Sequence, residues 1–484
     1  MENIEKAVYI NLTEEEFIGN PLIEALPEDI VPEKYSERLM VFPPYDPKDR
    51  FEPPQTRLQY LQRISEIHVA TKEDSMILLS LTRVLKWSYA KRNPMPFDVV
   101  TEALTERGIK VTDNLIHYLK NLHAPIYGFP ILGVSGIGKT TSICNILTLF
   151  PQVIQHTEYR GHELNLKQLV WLKVECPADG TPKGLFAAIV KGVDEVLGTD
   201  YQSQIIRNRM SKDVMLTKVS RLIKELNLGV LLVDDIQSLI SAKESVSSEL
   251  LSFMVAMTNN LNIPVVMIGT PKFILLLKKE FQQAKRATGE GEIRLKRLEK
   301  DSSEWERFLS VIWHFQYLNH EVPCTKALND AFYNECVGIP FLVAILYKLV
   351  QDDAIISEAE TFTVRDVHRV AQSKLGLTSE KRRDMLNGVD VELNQFEIYW
   401  KPSVTASKNS DTEQATADLF KATSDIQSQL QTKLAREQPN IKVSTAKKLA
   451  RQAVAAFSES EDLDMLYNYA VKLLNENKEN DKNE

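Results

Sequence analysis

One octapeptide limits this chain more than anything else in it. Gly133-Val134-Ser135-Gly136-Ile137-Gly138-Lys139-Thr140 follows a short apolar run, Pro130-Ile131-Leu132, and precedes a helical pattern from Thr140 to Phe150 that Pro151 stops. A glycine-rich turn between a strand and a helix presents successive backbone N–H groups as an anion nest. The helix N-terminus adds its dipole. The pattern therefore demands a strand–loop–helix unit that cradles phosphates. Gly133, Val134, Ser135, Gly136, Ile137, Gly138, Lys139, Thr140 and Thr141 are the expected nucleotide-binding residues. Lys139 would reach the β and γ phosphates of ATP, and Thr140 would ligate Mg²⁺.

The surrounding sequence supplies the sheet that such a unit needs. Leu169 to Val174, Gly229 to Val233 and Pro264 to Gly269 are apolar runs of strand length. Helical patterns over 183–197, 212–226 and 247–261 separate them. Buried strands alternating with helices predict an α/β fold with a parallel sheet covered on both faces. Asp234 and Asp235 end the second run. Asp234 is the expected Mg²⁺ partner, and Asp235 is placed to activate the attacking water. Thr270, at the tip of the next strand, is the candidate for positioning that water.

The chain has 484 residues, of which 43% are hydrophobic and 26% charged, enough for a large core in two to four domains at roughly 150 residues each. An acidic, proline-rich arm over 1–57 carries Phe17, Leu22, Ile23, Leu26, Val41 and Phe42, apolar residues that argue for docking. The ATPase core with its preceding helices is expected over 58–300, with stripes at Leu58, Leu61, Ile64 and Ile67 and from Met76 to Tyr89. A helical lid over 301–402 follows, with helices near 305–315, 325–336, 340–350 and 364–374. A helical tail over 403–484, with apolar stripes from Leu430 to Leu473, reads as a partner-binding element, with packing on its own ATPase domain as the competing reading. No apolar run nears the ~20 residues of a membrane span. The start lacks signal-peptide features. Four cysteines without a CxxC pair fit a reducing cytoplasm.

The net charge of -8 excludes a uniformly basic DNA coat but not a local basic surface. Residues 272–300 hold nine Lys or Arg against four Glu. Arg286 is the preferred arginine finger for a neighbouring subunit, with Lys285 and Arg294 as rivals. A solvated basic helix explains the same composition. Thr181 and Lys183, at a helix start, are the candidate contacts to double-stranded DNA; simple helix capping is the competing reading.

The order of P-loop, double-acid strand, polar strand tip, basic segment and helical lid resembles an AAA+ ATPase. Asp234-Asp235-Ile236-Gln237 looks like the initiator branch. Asn20-Pro21-Leu22-Ile23-Glu24-Ala25-Leu26-Pro27 resembles the N-terminal signature of TnsC, the ATPase regulator of Tns-type transposons. Arg92-Asn93-Pro94, Pro151-Gln152-Val153-Ile154 and Ile268-Gly269-Thr270-Pro271-Lys272 are similar to TnsC as well. The resemblance spans roughly residues 7–350. It implies rings or filaments assembled with ATP on duplex DNA, linking a target-selection protein of the TnsD or TniQ type to transposase subunits TnsA and TnsB. In that reading the tail meets TnsA and the acidic arm faces the target-selection side. Two departures stand out: Asp235 replaces the usual Glu, implying slow hydrolysis, and Gly338-Ile339-Pro340-Phe341 stands where many lids place an arginine. A replication initiator or helicase loader, and a P-loop kinase of a small molecule, are the competing functions.

Overall fold

The computed structural model describes residues 4–31, 34–122, 125–205, 211–236, 244–273, 289, 291–375 and 471. Chain contacts divide it into one unit over 1–398 and a second over 399–484. The expected tail helices, Arg286 and Lys285 lie outside the described residues.

The strands are β1 (Ile4–Lys6), β2 (Phe129–Leu132), β3 (Val153–Tyr159), β4 (His162–Leu169), β5 (Trp171–Glu175), β6 (Val230–Asp234), β7 (Val265–Gly269) and β8 (Ile293–Arg294). Five form a parallel sheet in the order β5-β6-β7-β2-β8. β6 and β7 are buried along their whole length, as strands covered on both faces must be. One face packs on the Lys72–Ala90 and Lys139–Leu147 helices, through Leu81, Leu85, Ile143 and Ile146. The other packs on the Pro182–Leu197, Lys212–Glu225 and Glu244–Leu261 helices, through Phe186, Ile189, Val219 and Met254. The expected α/β architecture is present.

The apolar run Leu169 to Val174, expected as one strand, is split. Leu169 ends β4, which belongs to a separate three-stranded sheet of order β1-β3-β4, and Trp171 begins β5. β3 and β4 form an antiparallel hairpin whose two-residue turn, Arg160 and Gly161, has φ of 49° and 79°. Left-handed turns of this kind match the twist of paired strands. The sequence reading missed this hairpin, and it missed the Phe97–Glu106 helix.

The described part of the arm docks on its own chain. Phe17, Leu22, Ile23 and Leu26 are all buried, whereas Val41 and Phe42 stay exposed at 38% and 51%. Asn20 caps the Pro21–Glu24 helix, accepting from the Leu22 N–H at 3.0 Å and donating to the Tyr89 carbonyl at 2.9 Å. β1 pairs in parallel with β3. The apolar residues of the octapeptide thus face the chain's own core and are not available to a target-selection protein. Further along, the stripe Leu58 to Ile67 is not one regular helix: an α-helix over Pro54–Tyr60 passes into a 3-10 helix over Leu61–Glu66. Leu61 and Ile64 pack among the lid residues Trp305, Phe332 and Tyr347. The buried Arg57 guanidinium fixes this junction, donating to Glu360 Oε2 at 2.8 Å and Oε1 at 2.7 Å and to the Tyr317 carbonyl at 2.9 Å. Within the Lys72–Ala90 helix, Met76 and Leu79 are exposed rather than core.

The lid helices are Ser303–His314, Lys326–Cys336, Pro340–Ile356 and Val364–Lys374, close to expectation.

Candidate nucleotide site

The parallel sheet brings the C-terminal ends of β2, β6 and β7 to one edge, where loops and ligands gather in open α/β folds. Gly136 and Gly138 adopt φ of 78° and 106°, a backbone region nearly closed to other residues. Gly138 caps the Lys139–Leu147 helix. Ser135, Gly136, Ile137, Gly138, Lys139, Thr140 and Thr141 line a cleft of about 790 Å³. Val134 is buried beneath them. Gly133 donates its N–H to the Gly269 carbonyl at 3.1 Å, locking the loop to the end of β7. Lys139 Nζ donates to the Gly133 carbonyl at 2.7 Å and the Val134 carbonyl at 3.0 Å. Its ammonium is therefore folded onto the loop and must exchange these contacts to reach a phosphate.

Asp234 and Asp235 reach the same cleft at the tip of β6. Thr140 Oγ1 donates to Asp234 Oδ2 at 3.0 Å, and the Asp235 N–H donates to Asp234 Oδ1 at 2.9 Å. Asp235 turns with φ of 59°, a left-handed conformation that Asp tolerates better than most residues, and this takes its side chain out of the strand's alternation. Thr270 is buried at the tip of β7, and its Oγ1 has no hydrogen-bond partner. A buried hydroxyl with nothing to bond is rare in a folded chain, and Thr270 is among the residues that line the cleft. Hard oxygen donors from Thr140 and Asp234, a few ångströms from a phosphate cradle, fit Mg²⁺, which is held by one or two carboxylates together with substrate phosphates.

Other lining residues were not foreseen. His68, Val69, Thr71 and Asp74 line the cleft too, as do Lys296, Arg297 and Arg307. Asp74 is almost fully buried; burial pushes its carboxyl up, but His68, Ser142 and Thr71 outweigh that and hold it below the usual range. The Gly338–Phe341 string meets the loop and brings no arginine to it. Ile339 and Phe341 approach Gly136, whose carbonyl accepts from the Phe341 N–H at 3.3 Å. Gly338 has φ of 71° and lies so near Leu298 that a Cβ would meet its carbonyl at 2.0 Å.

Lys173 is a further residue missed by sequence reasoning, although a lone charge in an apolar strand was a usable signal. Its Nζ lies 3.0 Å from Asp234 Oδ2. The candidate DNA contacts lie elsewhere. Thr181 caps the Pro182–Leu197 helix, accepting from the Gly184 N–H at 3.0 Å and donating to Asp179 Oδ2 at 2.9 Å. Its hydroxyl is thus engaged in the cap, while Lys183 is exposed. Arg294 sits on β8 and pairs with Glu292 at 2.6 Å. Among the described residues no helix is long and apolar enough to cross a membrane.

A family model described as an AAA domain matches residues 130–277. The fold is that of an AAA+ P-loop ATPase. No curated protein matches the chain. Similar solved structures include a Walker-type ATPase of Pyrococcus abyssi (14% identity, 74% of this chain and 93% of that one, TM-score 0.34). They also include Cdc6p from Pyrobaculum aerophilum (15%, 75% and 91%, TM-score 0.36) and the Aeropyrum pernix ORC1 protein in complex with DNA (12%, 72% and 78%, TM-score 0.36). Likenesses this distant carry no functional weight.

Proposed function

We propose that this chain is an ATP-hydrolysing switch that works on duplex DNA as a transposition regulator of the TnsC type. The nucleotide half of the reading rests on the cleft. Thr140 and Asp234 would hold Mg²⁺, which would neutralise developing phosphate charge. Lys139 would pair with the β and γ phosphates. Asp235 would take a proton from the attacking water, and the Thr270 hydroxyl would orient it.

One observation supports the transposition half. Three strings that nucleotide chemistry does not require meet in space. Asn93 Nδ2 donates to the Gly19 carbonyl at 3.0 Å, just before the arm octapeptide. Gln168 Nε2 donates to the Leu22 carbonyl at 2.8 Å, and the Val153–Ile154 string pairs with β1. The Asn93 string thus meets the arm directly, and the Val153–Ile154 string meets it through β1 and through Gln168, the cross-strand neighbour of Ile154. Lys183 is the DNA contact we retain, with a phosphate as its target, and Arg286 the trans-acting arginine. The region 403–484 would recruit TnsA and TnsB, and a TnsD or TniQ type protein would select the target.

The initiator or helicase-loader reading shares the Asp234-Asp235-Ile236-Gln237 string. ATPase assays with and without duplex DNA, and electron micrographs with ATP and plasmid, separate the readings. A transposition regulator should assemble on any duplex and retain TnsA or TnsB in a pull-down. An initiator should prefer particular sequences and retain neither. Turnover indifferent to DNA but dependent on a small acceptor would establish a kinase instead.

A further inference from the structure

β5 and β6 run side by side in parallel, with Lys173 level with Leu232 and Glu175 level with Asp234. Residues level in register point to the same face, and alternation puts Trp171, Lys173 and Glu175 on the face that carries Val230, Leu232 and Asp234. Trp171, Val230 and Leu232 pack in the cluster that also holds Ile143 and Ile146 of the P-loop helix. Lys173 therefore lies on the sheet face that the P-loop helix covers. Its four-carbon stem carries the ammonium forward to Asp234, 3.0 Å from Oδ2, with the two side chains only 21% and 10% exposed.

That oxygen is the one to which Thr140 donates. A carboxylate this enclosed is costly without a partner charge, and Lys173 supplies one. Mg²⁺ would need the same Oδ2 and Thr140 Oγ1. A single positive charge and a double one cannot crowd one oxygen without strong repulsion in a shielded site. We infer that Lys173 is a positioning residue, a resident counter-ion that holds Asp234 in place before loading and competes with Mg²⁺ for it. It sets the Mg²⁺ concentration at which nucleotide is captured. The inference rests on reading the cleft as a Mg²⁺–ATP site.

The test is equilibrium binding of a fluorescent ATP analogue to the full chain, from EDTA through millimolar Mg²⁺. Lys173→Met should lower the half-saturating Mg²⁺ about tenfold, because one opposing charge is gone. Binding in EDTA should weaken in the same variant, since the bare Asp234 then repels phosphate. Lys173→Arg should behave like the wild type. Lys173→Gln keeps a polar contact without the charge and should repeat the Met result; it decides the matter if the Met variant lacks a cooperative melt. A Mg²⁺ requirement unchanged or raised in the folded neutral variants overturns the competition. A wild-type chain that captures no nucleotide at any Mg²⁺ concentration overturns the site reading itself, a separate failure.

Discussion

Asp235 shows how one residue can be displaced from its strand without leaving the site. The strand's last buried position belongs to Asp234, and a left-handed turn at the next residue carries Asp235 into the cleft. Its side chain is one methylene shorter than Glu, so it reaches less far toward a water above the phosphate. Asp235→Asn should leave ATP affinity unchanged and slow single-turnover hydrolysis by about a hundredfold or more, since an amide takes no proton. Turnover at the wild-type rate would assign proton removal to another group. These site residues were legible because phosphate binding needs specific residue types at fixed spacing. Lys173 and His68 were not, because each earns its place only through a neighbour remote in sequence: Asp234 for the first, and Val41, whose backbone pairs with His68, for the second.

Among the elements, the docked arm behaves as part of the core. Glu24 is buried and accepts from the Gly19 N–H at 3.0 Å and the Tyr159 hydroxyl at 2.8 Å, with Arg107 at 3.4 Å. Glu24→Ala would remove the acceptor these three donors share, leaving the Gly19 N–H without it and Arg107 with the Leu12 carbonyl alone, and should cost about 3 kcal/mol in chemical unfolding. A loss under ~0.5 kcal/mol would mean that the arm is only lightly held. His156 sits in the same anchor, fully buried, with Gln168 Oε1 at 2.8 Å from Nε2 and the Tyr9 hydroxyl at 2.9 Å from Nδ1. A neutral ring protonated on Nε2 satisfies both contacts. Burial holds its pKa below the ordinary 6.5, although the Gln168 contact works the other way. Above pH 6.5 the ring is neutral folded or unfolded and adds no pH dependence. Below it the unfolded chain takes up a proton that the folded one refuses, so stability falls with pH until the lowered folded pKa is passed. His156→Gln should remove that part of the acid slope in melting curves taken between pH 7.5 and 5, roughly the window in which an ordinary histidine titrates. An identical slope would show that other groups carry it.

On the scale of the whole molecule, contacts close one unit at Ile398. A chain ending there should melt cooperatively and bind ATP as tightly as the full chain, while losing retention of TnsA or TnsB in a pull-down. Loss of ATP binding would make the remaining residues part of the ATPase, and undiminished retention would move the partner surface elsewhere. The strands β6 and β7, the glycines of the phosphate loop and the lid helices could all be read locally, because burial on both faces, positive φ and helical periodicity each mark the residues that carry them. Partner choice could not. Leu169 to Val174 is apolar but for Lys173 and carries no break, yet Leu169 pairs with Val153 in the hairpin while Trp171 opens the main sheet beside Val230. Gly338 looks like an ordinary turn residue until Leu298 is laid against it. The arm reads as extended and acidic until Tyr159, Arg107 and Asn93, all distant in the chain, gather around Gly19 and Glu24. Local pattern specifies what a segment can bury; the mutual packing of segments distant in the chain selects what it is buried against.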